Sequence, residues 1–275
     1  MRVFICADME GVAGVVSRRQ TDDYDSPDYA RACALFQEDV LCAVTAAFSA
    51  GAEEVVVADS HGPATNLDPA AFPAKVRLVQ GWPRPLNMMQ GIDAGSYHGA
   101  VLLGHHAAIT SIDGGFPHSF SSSRYAAVLI NGAPVSEGQV NAWLAGQYNV
   151  PIVAATGDDV CMAALEALLP GLPVAVTKES HGMYSATQLP RDAALARIDD
   201  AVRAGLDRAA AFRPLRLEGP VELELRLRNR YAAELISYLP GFERRAAYAV
   251  AIEVSDITEA VRVIGALVHI DVDCF

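Results

Sequence analysis

Two carboxylates stand one residue apart directly after the first apolar run of the chain. The run at residues 3–7 is short and β-prone, and it is followed by Asp8, Glu10 and Gly11. Such a run is typical of a buried strand in a parallel sheet, and ligands bind at the carboxyl ends of these strands. Two carboxylates held close together repel each other unless a positive charge lies between them, and a divalent metal ion can supply it. Taken alone, the pair is explained more simply as two solvated loop acids.

Further side chains that bind metals follow other predicted strands. His61 comes after the apolar run at residues 54–58, His106 comes after the run at residues 99–103, and Glu137 opens a helix after another strand. If these strands are neighbours, all five side chains meet at one edge of the sheet. Two imidazoles and three carboxylates are too many for one tetrahedral zinc ion that keeps an open position. They suit two metal ions that share a bridging carboxylate.

Each of these residues also has a structural explanation. A hydrogen bond to Asp59 would account for His61, and an acidic first turn favoured by the helix dipole would account for Glu137. His105 and His106 are adjacent, so on a regular strand only one of them can face the site, and spacing does not say which. Several independent strand ends that all carry metal-binding residues nevertheless favour a metal site.

The elements that position these residues alternate between strand and helix up to about residue 185. Helices are predicted at about residues 29–50, 137–148 and 158–169, between apolar strands. This alternation predicts an α/β fold with a mainly parallel sheet and flanking helices. From residue 186 a long amphipathic helix and the alternating strand Val221–Leu227 predict a C-terminal α+β subdomain. We therefore predict a metal-binding α/β domain at residues 1–185 and a subdomain at residues 186–275, which form either two domains or one continuous unit.

Composition restricts the partners and the compartment. The chain has 275 residues and a net charge of −12, which disfavours nucleic acids and anionic membranes as partners. Its five cysteines, among them Cys274, are odd in number and lack CxxC spacing, which indicates a reducing compartment. We see no signal peptide, and uncharged stretches at residues 94–112 and 138–157 carry histidines or polar residues that lipid would not accommodate. We expect a soluble cytoplasmic protein.

The set of motifs resembles the zinc-dependent D-aminopeptidases of the dipeptide-transport-operon type. The motifs that carry the resemblance are Asp8-Met9-Glu10-Gly11, Asp59-Ser60-His61, Leu103-Gly104-His105-His106, Pro117-His118-Ser119 and Pro134-Val135-Ser136-Glu137 with Asn141-Ala142. Their order and spacing match over about the first 180 residues. The combination is specific, although no single motif would be.

The resemblance implies a dinuclear zinc metallopeptidase that removes N-terminal D-residues from short peptides such as D-Ala-D-Ala. It implies two Zn²⁺ per chain and a homodecamer of two stacked five-fold rings. The implied metal ligands are Asp8, as the bridging residue, with Glu10, His61, His106 and Glu137. His106 is favoured over His105 because the family carries a tyrosine at the position of His105. His118 is implied as the catalytic histidine outside the metal shell, and histidine is the side chain most often used for proton transfer near neutral pH.

Some observations leave alternatives open. His105 is an extra ligand or base beside the metal, and Ser136 stands where the family more often has glycine, so the substrate range is not fixed by the resemblance. A dinuclear phosphoesterase or another amidohydrolase would use the same residues, with Arg124 or Lys178 to hold a phosphate. A third alternative is a ring-forming scaffold or a metal-buffering protein, but neither would give His118 a role.

Other polar residues near strand ends are interpreted as structural or remain unassigned. Asp158 is a candidate for holding the substrate amine, but we favour it as the N-cap of its helix. His98, His181 and His269 are interpreted as structural, and Asn66 has no assigned role. A hydrogen bond to a neighbouring serine would also account for His118.

Overall fold

The computed structural model describes residues 1–270, so Cys274 lies outside the described residues. The strands are β1 (Arg2–Ala7), β2 (Glu54–Asp59), β3 (Val76–Val79), β4 (Gly99–His105), β5 (Tyr125–Ile130), β6 (Ala133–Pro134), β7 (Ile152–Asp158), β8 (Val174–Gly182), β9 (Ser185–Gln188), β10 (Val221–Leu227), β11 (Phe242–Ala246) and β12 (Ala249–Val254). The helices are α1 (Arg18–Thr21), α2 (Pro27–Ser49), α3 (Glu137–Gln147), α4 (Asp159–Leu168), α5 (Arg191–Asp207), α6 (Arg230–Ile236) and α7 (Ile257–His269).

Sheet A contains seven strands in the order β3-β2-β1-β4-β7-β8-β9. Its strands are parallel except for β9, which pairs antiparallel with β8. Strand β1 lies between β2 and β4, and both faces of these strands are buried. Val3 and Ile5 face α2 and α5, whereas Phe4 and Cys6 belong to the core formed with α3, α4 and α7. Burial on both faces explains why these strands read as continuous apolar runs.

Helix α2 is 23 residues long and apolar enough that its length and composition would fit a membrane span. It begins at Pro27 after Ser26, whose side chain accepts a hydrogen bond from the backbone of Asp28. In the structure the helix packs against sheet A and α5, with Phe36 and Val40 fully buried. A helix packed in a protein core can be as long and as apolar as a membrane span, so the packing of α2 accounts for its apolar residues.

Sheet B is antiparallel, with five strands in the order β11-β12-β10-β5-β6. Strand β10 alternates as predicted, with Val221, Leu223 and Leu225 fully buried and the residues between them partly exposed. Sheet B thus joins β5 and β6, which precede residue 185, to strands that follow it. Helix α5, which follows residue 185, packs on sheet A. The division of the chain at residue 185 stays a prediction.

Most predicted elements lie where expected, and the differences are small edge elements. The long amphipathic helix predicted after residue 186 is α5, which ends at Asp207 and is followed by a 3-10 turn, Ala209–Ala211. A further 3-10 turn lies at Asn87–Met89. Strands β9 and β11 and the short helix α1 were not predicted. They are short, polar and largely exposed, so they lack the apolar periodicity on which the prediction depends.

Candidate metal centre

The ends of three neighbouring strands lie level with one another. The register pairs Ala7 of β1 with Asp59 of β2 on one side and with Leu103 of β4 on the other. The backbone N–H of Asp8 then donates to the Leu103 carbonyl at 2.9 Å, and the N–H of Ser60 donates to the Ala7 carbonyl at 2.9 Å. The residues that follow β1, β2 and β4 are therefore held side by side at one edge of sheet A.

The five predicted metal ligands lie together at this edge, each no more than 4% exposed. Nδ1 of His61 lies 2.8 Å from a carboxylate oxygen of Glu10 and 3.6 Å from Oδ1 of Asp8. Nε2 of His106 lies 3.5 Å from Oδ2 of Asp8 and 3.5 Å from Oε2 of Glu137. Asp8 therefore directs one oxygen toward each histidine and stands between two sets of ligand atoms.

Both histidines are oriented by backbone carbonyls. Nε2 of His61 donates to the Thr21 carbonyl at 3.0 Å, and Nδ1 of His106 donates to the Ala107 carbonyl at 3.0 Å. The partner assigns the tautomer, so in each ring the other nitrogen carries a lone pair and faces carboxylates. This second hydrogen bond from the ring is typical of metal-ligating histidines.

Buried polar atoms without partners indicate that a cation belongs here. Among residues 1–270, Oδ2 of Asp8, Nε2 of His106 and both ring nitrogens of His105 are buried and have no hydrogen-bond partner. Each such atom costs about 1–3 kcal/mol if nothing binds it. Imidazole nitrogens and carboxylate oxygens are ligands of zinc, so the residues present fit that ion.

The charges of the site depend strongly on one another. Burial and the nearby Glu10 raise the pKa of Asp8 to about 7. Burial alone would raise the pKa of Glu137, but His106 and His118 lower it to about 2. Burial alone would lower the pKa of His106, but Glu137 and Asp8 raise it to about 10. The carboxylates thus favour positive charge on the imidazoles, and a metal ion would supply the same charge.

Gly104 brings two adjacent histidines to the same site. Its φ of +70° is a left-handed conformation, and the pairing of β4 with β7 is irregular between Leu102 and His105. The alternation of a regular strand is broken here, so the expectation that only one of the two histidines faces the site does not hold. Potential ligand atoms of Asp8, His105 and Glu137, one from each residue, lie within 4.8 Å of one another. A second set, from Asp8, Glu10 and His106, meets the same limit.

His118 stands beside the metal-binding set on the loop between β4 and β5. Its ring stacks on that of His106, with centroids 4.1 Å apart and planes inclined by 10°. Nδ1 donates to the Phe116 carbonyl at 2.9 Å, which leaves the lone pair on Nε2, 3.6 Å from Oε1 of Glu137. The hydroxyl of Ser119, considered above as its partner, donates instead to the Val135 carbonyl. His118 is thus a partly exposed base with a fixed tautomer.

Lys178 holds the loop that carries the first two carboxylates. It is 2% exposed, and its ammonium donates to the Val12 carbonyl at 3.1 Å, to the Val15 carbonyl at 2.6 Å and to the carbonyl of Glu10. From the sequence, Lys178 was considered only as a phosphate-holding cation in the phosphoesterase alternative, and its role in holding this loop was missed. One signal was available, because the chain has only two lysines and this one follows an apolar run.

Two residues hold the loop that carries His61. The carboxylate of Asp59 accepts hydrogen bonds from the backbone of Asn66 at 2.6 Å and of Leu67 at 3.0 Å. The side chain of Asn66 donates to the His61 carbonyl at 2.7 Å. These hydrogen bonds give Asn66 the role that sequence reasoning could not assign.

Helix capping fixes the positions of two acidic residues, Asp158 and Glu137. Asp158 is the N-cap of α4 and also accepts a hydrogen bond from the backbone of Ala107, as expected for a structural residue. Ser136 caps α3 in a reciprocal arrangement with Gln139, and this places Glu137 in the first turn of the helix. The N–H of Phe120 donates to the Glu137 carboxylate and fixes its orientation.

A peptidase family, M55, described as D-aminopeptidase, matches residues 1–266 of the chain. The protein belongs to the D-aminopeptidase family. The D-aminopeptidase of Bacillus subtilis (strain 168) is 29% identical over 245 residues, which cover 88% of this chain and 87% of that protein. The solved structure of the Zn-dependent D-aminopeptidase DppA from Bacillus subtilis, a self-compartmentalizing protease, matches with a TM-score of 0.91 at 26% identity and covers 100% of both chains.

These similarities confirm the predicted family and the α/β fold class with its additional antiparallel sheet. They establish the chain as an enzyme of a metal-dependent aminopeptidase family. The dipeptide-transport-operon type stays a prediction, and so do the roles of the individual site residues.

In this D-aminopeptidase-family protein four of the five predicted ligands, all except His106, line a cavity of about 340 Å³ together with His118. Its wall also includes side chains that sequence reasoning missed or set aside, namely Arg18, Tyr24, Trp82 and His269. His269 was interpreted as structural, and its ring lies 5.5 Å from that of Trp82 at the cavity. These residues come from loops and helix ends far apart in the chain, and no spacing pattern links them. His98 and His181 bond to Arg2 and Thr187 and lie elsewhere.

Proposed function

We propose that this protein is a dinuclear zinc aminopeptidase that removes the N-terminal D-residue from short peptides of the D-Ala-D-Ala kind. The observation that carries the proposal is the position of Asp8 between His61 and His106, with one carboxylate oxygen toward each. A single carboxylate that faces two imidazoles in opposite directions is the arrangement expected of a bridging ligand. The family and its Zn-dependent relative support this choice of metal and reaction.

The side chains divide into two groups around Asp8. Glu10 and His61 would hold one ion, and His106 and Glu137 would hold the other. Two bound zinc ions would polarise the scissile carbonyl and make water acidic enough to attack near neutral pH. Backbone carbonyls already orient the imidazoles of His61 and His106, so these rings would need little rearrangement to bind the ions.

His118 provides the proton transfer. Its Nε2 accepts a proton from the attacking water and donates it to the leaving amine when the amide bond breaks. The Phe116 carbonyl holds the tautomer that this step requires, and the stacked ring of His106 fixes the distance to the metal-binding set. Hydrolysis then yields a free amino acid and the shortened peptide.

The cavity limits the substrate. Its volume of about 340 Å³ lies at the lower end of the range for small-ligand sites, which suits a short peptide and not a folded protein. We also propose a cytoplasmic homo-oligomer, a decameric double ring as the family resemblance implies. The description of DppA as self-compartmentalizing supports an assembly, and light scattering would measure its mass.

The test compares release from D-alanyl and L-alanyl amide substrates with zinc present and after chelation. We expect fast D-alanyl release, its loss on chelation and its return with zinc, together with two zinc ions per chain by elemental analysis. Release from the L-substrate alone would retain the metallopeptidase and refute the preference for D-residues. No turnover of either substrate by the zinc-loaded protein would refute the aminopeptidase.

A variant separates the catalytic role of His118 from metal binding. We expect His118→Ala to lose about 10²–10⁴-fold in kcat while it keeps both zinc ions, because a general base contributes that much. His181→Ala is the control, because His181 is an exposed histidine bonded to Thr187 outside the site. Loss of zinc from His118→Ala would show instead that His118 is a ligand.

Neither cation considered for the phosphoesterase alternative lines the cavity of the proposed metal centre. Lys178 was one of the two cations available to hold a phosphate, but its ammonium is buried and directed to three backbone carbonyls. Arg124, the other, lines a separate cavity with Leu227 and Asn229. A phosphatase assay on the zinc-loaded protein tests this alternative directly.

A further inference from the structure

His105 is a buried histidine that the proposed mechanism does not use. It is the last residue of β4 and is 0% exposed. Neither of its ring nitrogens has a hydrogen-bond partner within residues 1–270, whereas His61, His106 and His118 each bond to a backbone carbonyl. An unpaired buried nitrogen is costly, so a side chain of this kind calls for a partner.

The ring of His105 lies next to the metal-binding carboxylates. One of its nitrogens falls within 4.8 Å of carboxylate oxygens of both Asp8 and Glu137. These are the same two residues that face His106, so His105 approaches the ion site from a second direction. The ring packs beside Gly138, where an added Cβ would lie 3.8 Å from Nδ1 of His105, an ordinary van der Waals distance.

The backbone holds His105 firmly in this position. An added Cβ on Gly11 would lie 2.2 Å from the His105 carbonyl oxygen, and one on Gly157 would lie 1.9 Å from it. The backbone of His105 is therefore packed closely between the loop that follows β1 and strand β7, so the position from which its side chain starts is fixed.

We propose that His105 is an additional metal ligand, which coordinates the ion held between Asp8 and Glu137. This role rests on the metal centre of the proposed function and adds a third imidazole to it. Coordination would provide one of the two unpaired nitrogens with a partner. It would also give the ion next to Glu137 one more nitrogen than the ion next to Glu10.

The experiment uses the full-length protein with its metal removed and then titrated with Co²⁺ and Zn²⁺. His105→Phe keeps the ring and removes both nitrogens. His105→Gln keeps a hydrogen-bonding group and also serves if the Phe variant does not fold. The control is His181→Phe, an exposed histidine on β8. The readouts are metal stoichiometry, affinity by chelator competition, the visible absorption of bound Co²⁺ and thermal unfolding with and without metal.

We expect both His105 variants to bind one of the two ions more than about 100-fold more weakly, beyond the 10–100-fold loss typical of an outer hydrogen-bond partner. The Co²⁺ absorption should change because a nitrogen ligand is lost. The metal-free His105→Phe protein should unfold at the wild-type temperature or above it, because its ring gives up no hydrogen bond. His181→Phe should match the wild type in every readout.

Three results would overturn the proposal. The first is a His105→Phe protein with both ions bound at wild-type affinity and with an unchanged Co²⁺ spectrum. The second is a His105→Gln protein that keeps wild-type affinity, because that would make His105 a hydrogen-bond partner of a carboxylate. The third is a wild-type protein that binds no divalent ion, and this result alone would also remove the proposed function.

Discussion

Lys178 offers a sharp test of how the metal-binding loop is held. The chain has two lysines, of which Lys75 is exposed and Lys178 is buried beneath the loop that follows β1. Burial lowers the pKa of Lys178 to about 8, so the side chain is mostly charged at neutral pH. Its ammonium donates to three backbone carbonyls between Glu10 and Val15. Replacement by methionine keeps the length and volume of the side chain and removes these three hydrogen bonds.

The expected magnitude follows from two opposing contributions. Hydrogen bonds to a charged group contribute about 1.5–3 kcal/mol each, so three of them contribute roughly 4–9 kcal/mol. Burial of an ammonium costs several kcal/mol, which Lys178→Met recovers. We therefore expect Lys178→Met to lower the free energy of unfolding by about 3 kcal/mol. For a chain of this size that corresponds to a fall of about 6–12 °C in melting temperature.

The assay is urea unfolding of the metal-free protein, followed by zinc competition with a chelator. Lys75→Met is the matched control and should stay within about 0.5 kcal/mol of the wild type. Zinc affinity should fall at least about tenfold in Lys178→Met, because the carbonyl that is released belongs to the proposed ligand Glu10. Equal stability of the two methionine variants would refute the view that Lys178 anchors the loop.

Two further predictions concern backbone packing and a buried charge pair. Gly104→Ala should abolish zinc binding and lower the free energy of unfolding by more than about 3 kcal/mol, because the added Cβ would lie 2.0 Å from the Asp8 carbonyl oxygen. Gly132→Ala, with a similar φ of +78° but open space around it, should cost only about 1–2 kcal/mol, and equal losses would refute the clash. Arg191→Met should lower the free energy of unfolding in urea by about 3–5 kcal/mol. In the wild type the Arg191 guanidinium lies 2.6 Å from the fully buried carboxylate of Asp39, and the variant leaves that carboxylate without its partner. Arg203→Met breaks an exposed pair and should cost less than about 1 kcal/mol; a similar loss from both arginines would contradict the role of burial.

The parallel sheet and the meeting of the five candidate ligands at its edge were predictable, because strands buried on both faces, such as β1, β2 and β4, have continuous apolar sequences. Their apolar runs mark the strands, and the first polar residues after each run mark the edge at which ligands collect. The register that sets these ends level joins residues about fifty positions apart, such as Ala7 and Asp59. Residue type and order thus predicted which side chains meet, although not at what distances.

What the sequence could not show depends on single backbone conformations and long side chains. His105 and His106 both reach the site because Gly104 breaks the strand, and no pattern predicts a left-handed residue at that point. Lys178 acts on carbonyls more than 160 positions earlier in the chain. The edge strand β11 has no buried face, so periodicity does not mark it.

Three glycines, Gly11, Gly104 and Gly157, allow the strand ends beneath the site to lie unusually close together. An added Cβ at Gly11, Gly104 or Gly157 would lie 2.2 Å or less from a backbone oxygen of a neighbouring strand end. These strand ends therefore approach more closely than any side chain would permit. The close approach brings the Asp8 carboxylate within reach of histidines from both adjacent strands. Glycine at these positions is thus as necessary to the proposed metal centre as its proposed ligands. A chain that kept all five of these side chains and lost the glycines should fold with them too far apart to share Asp8.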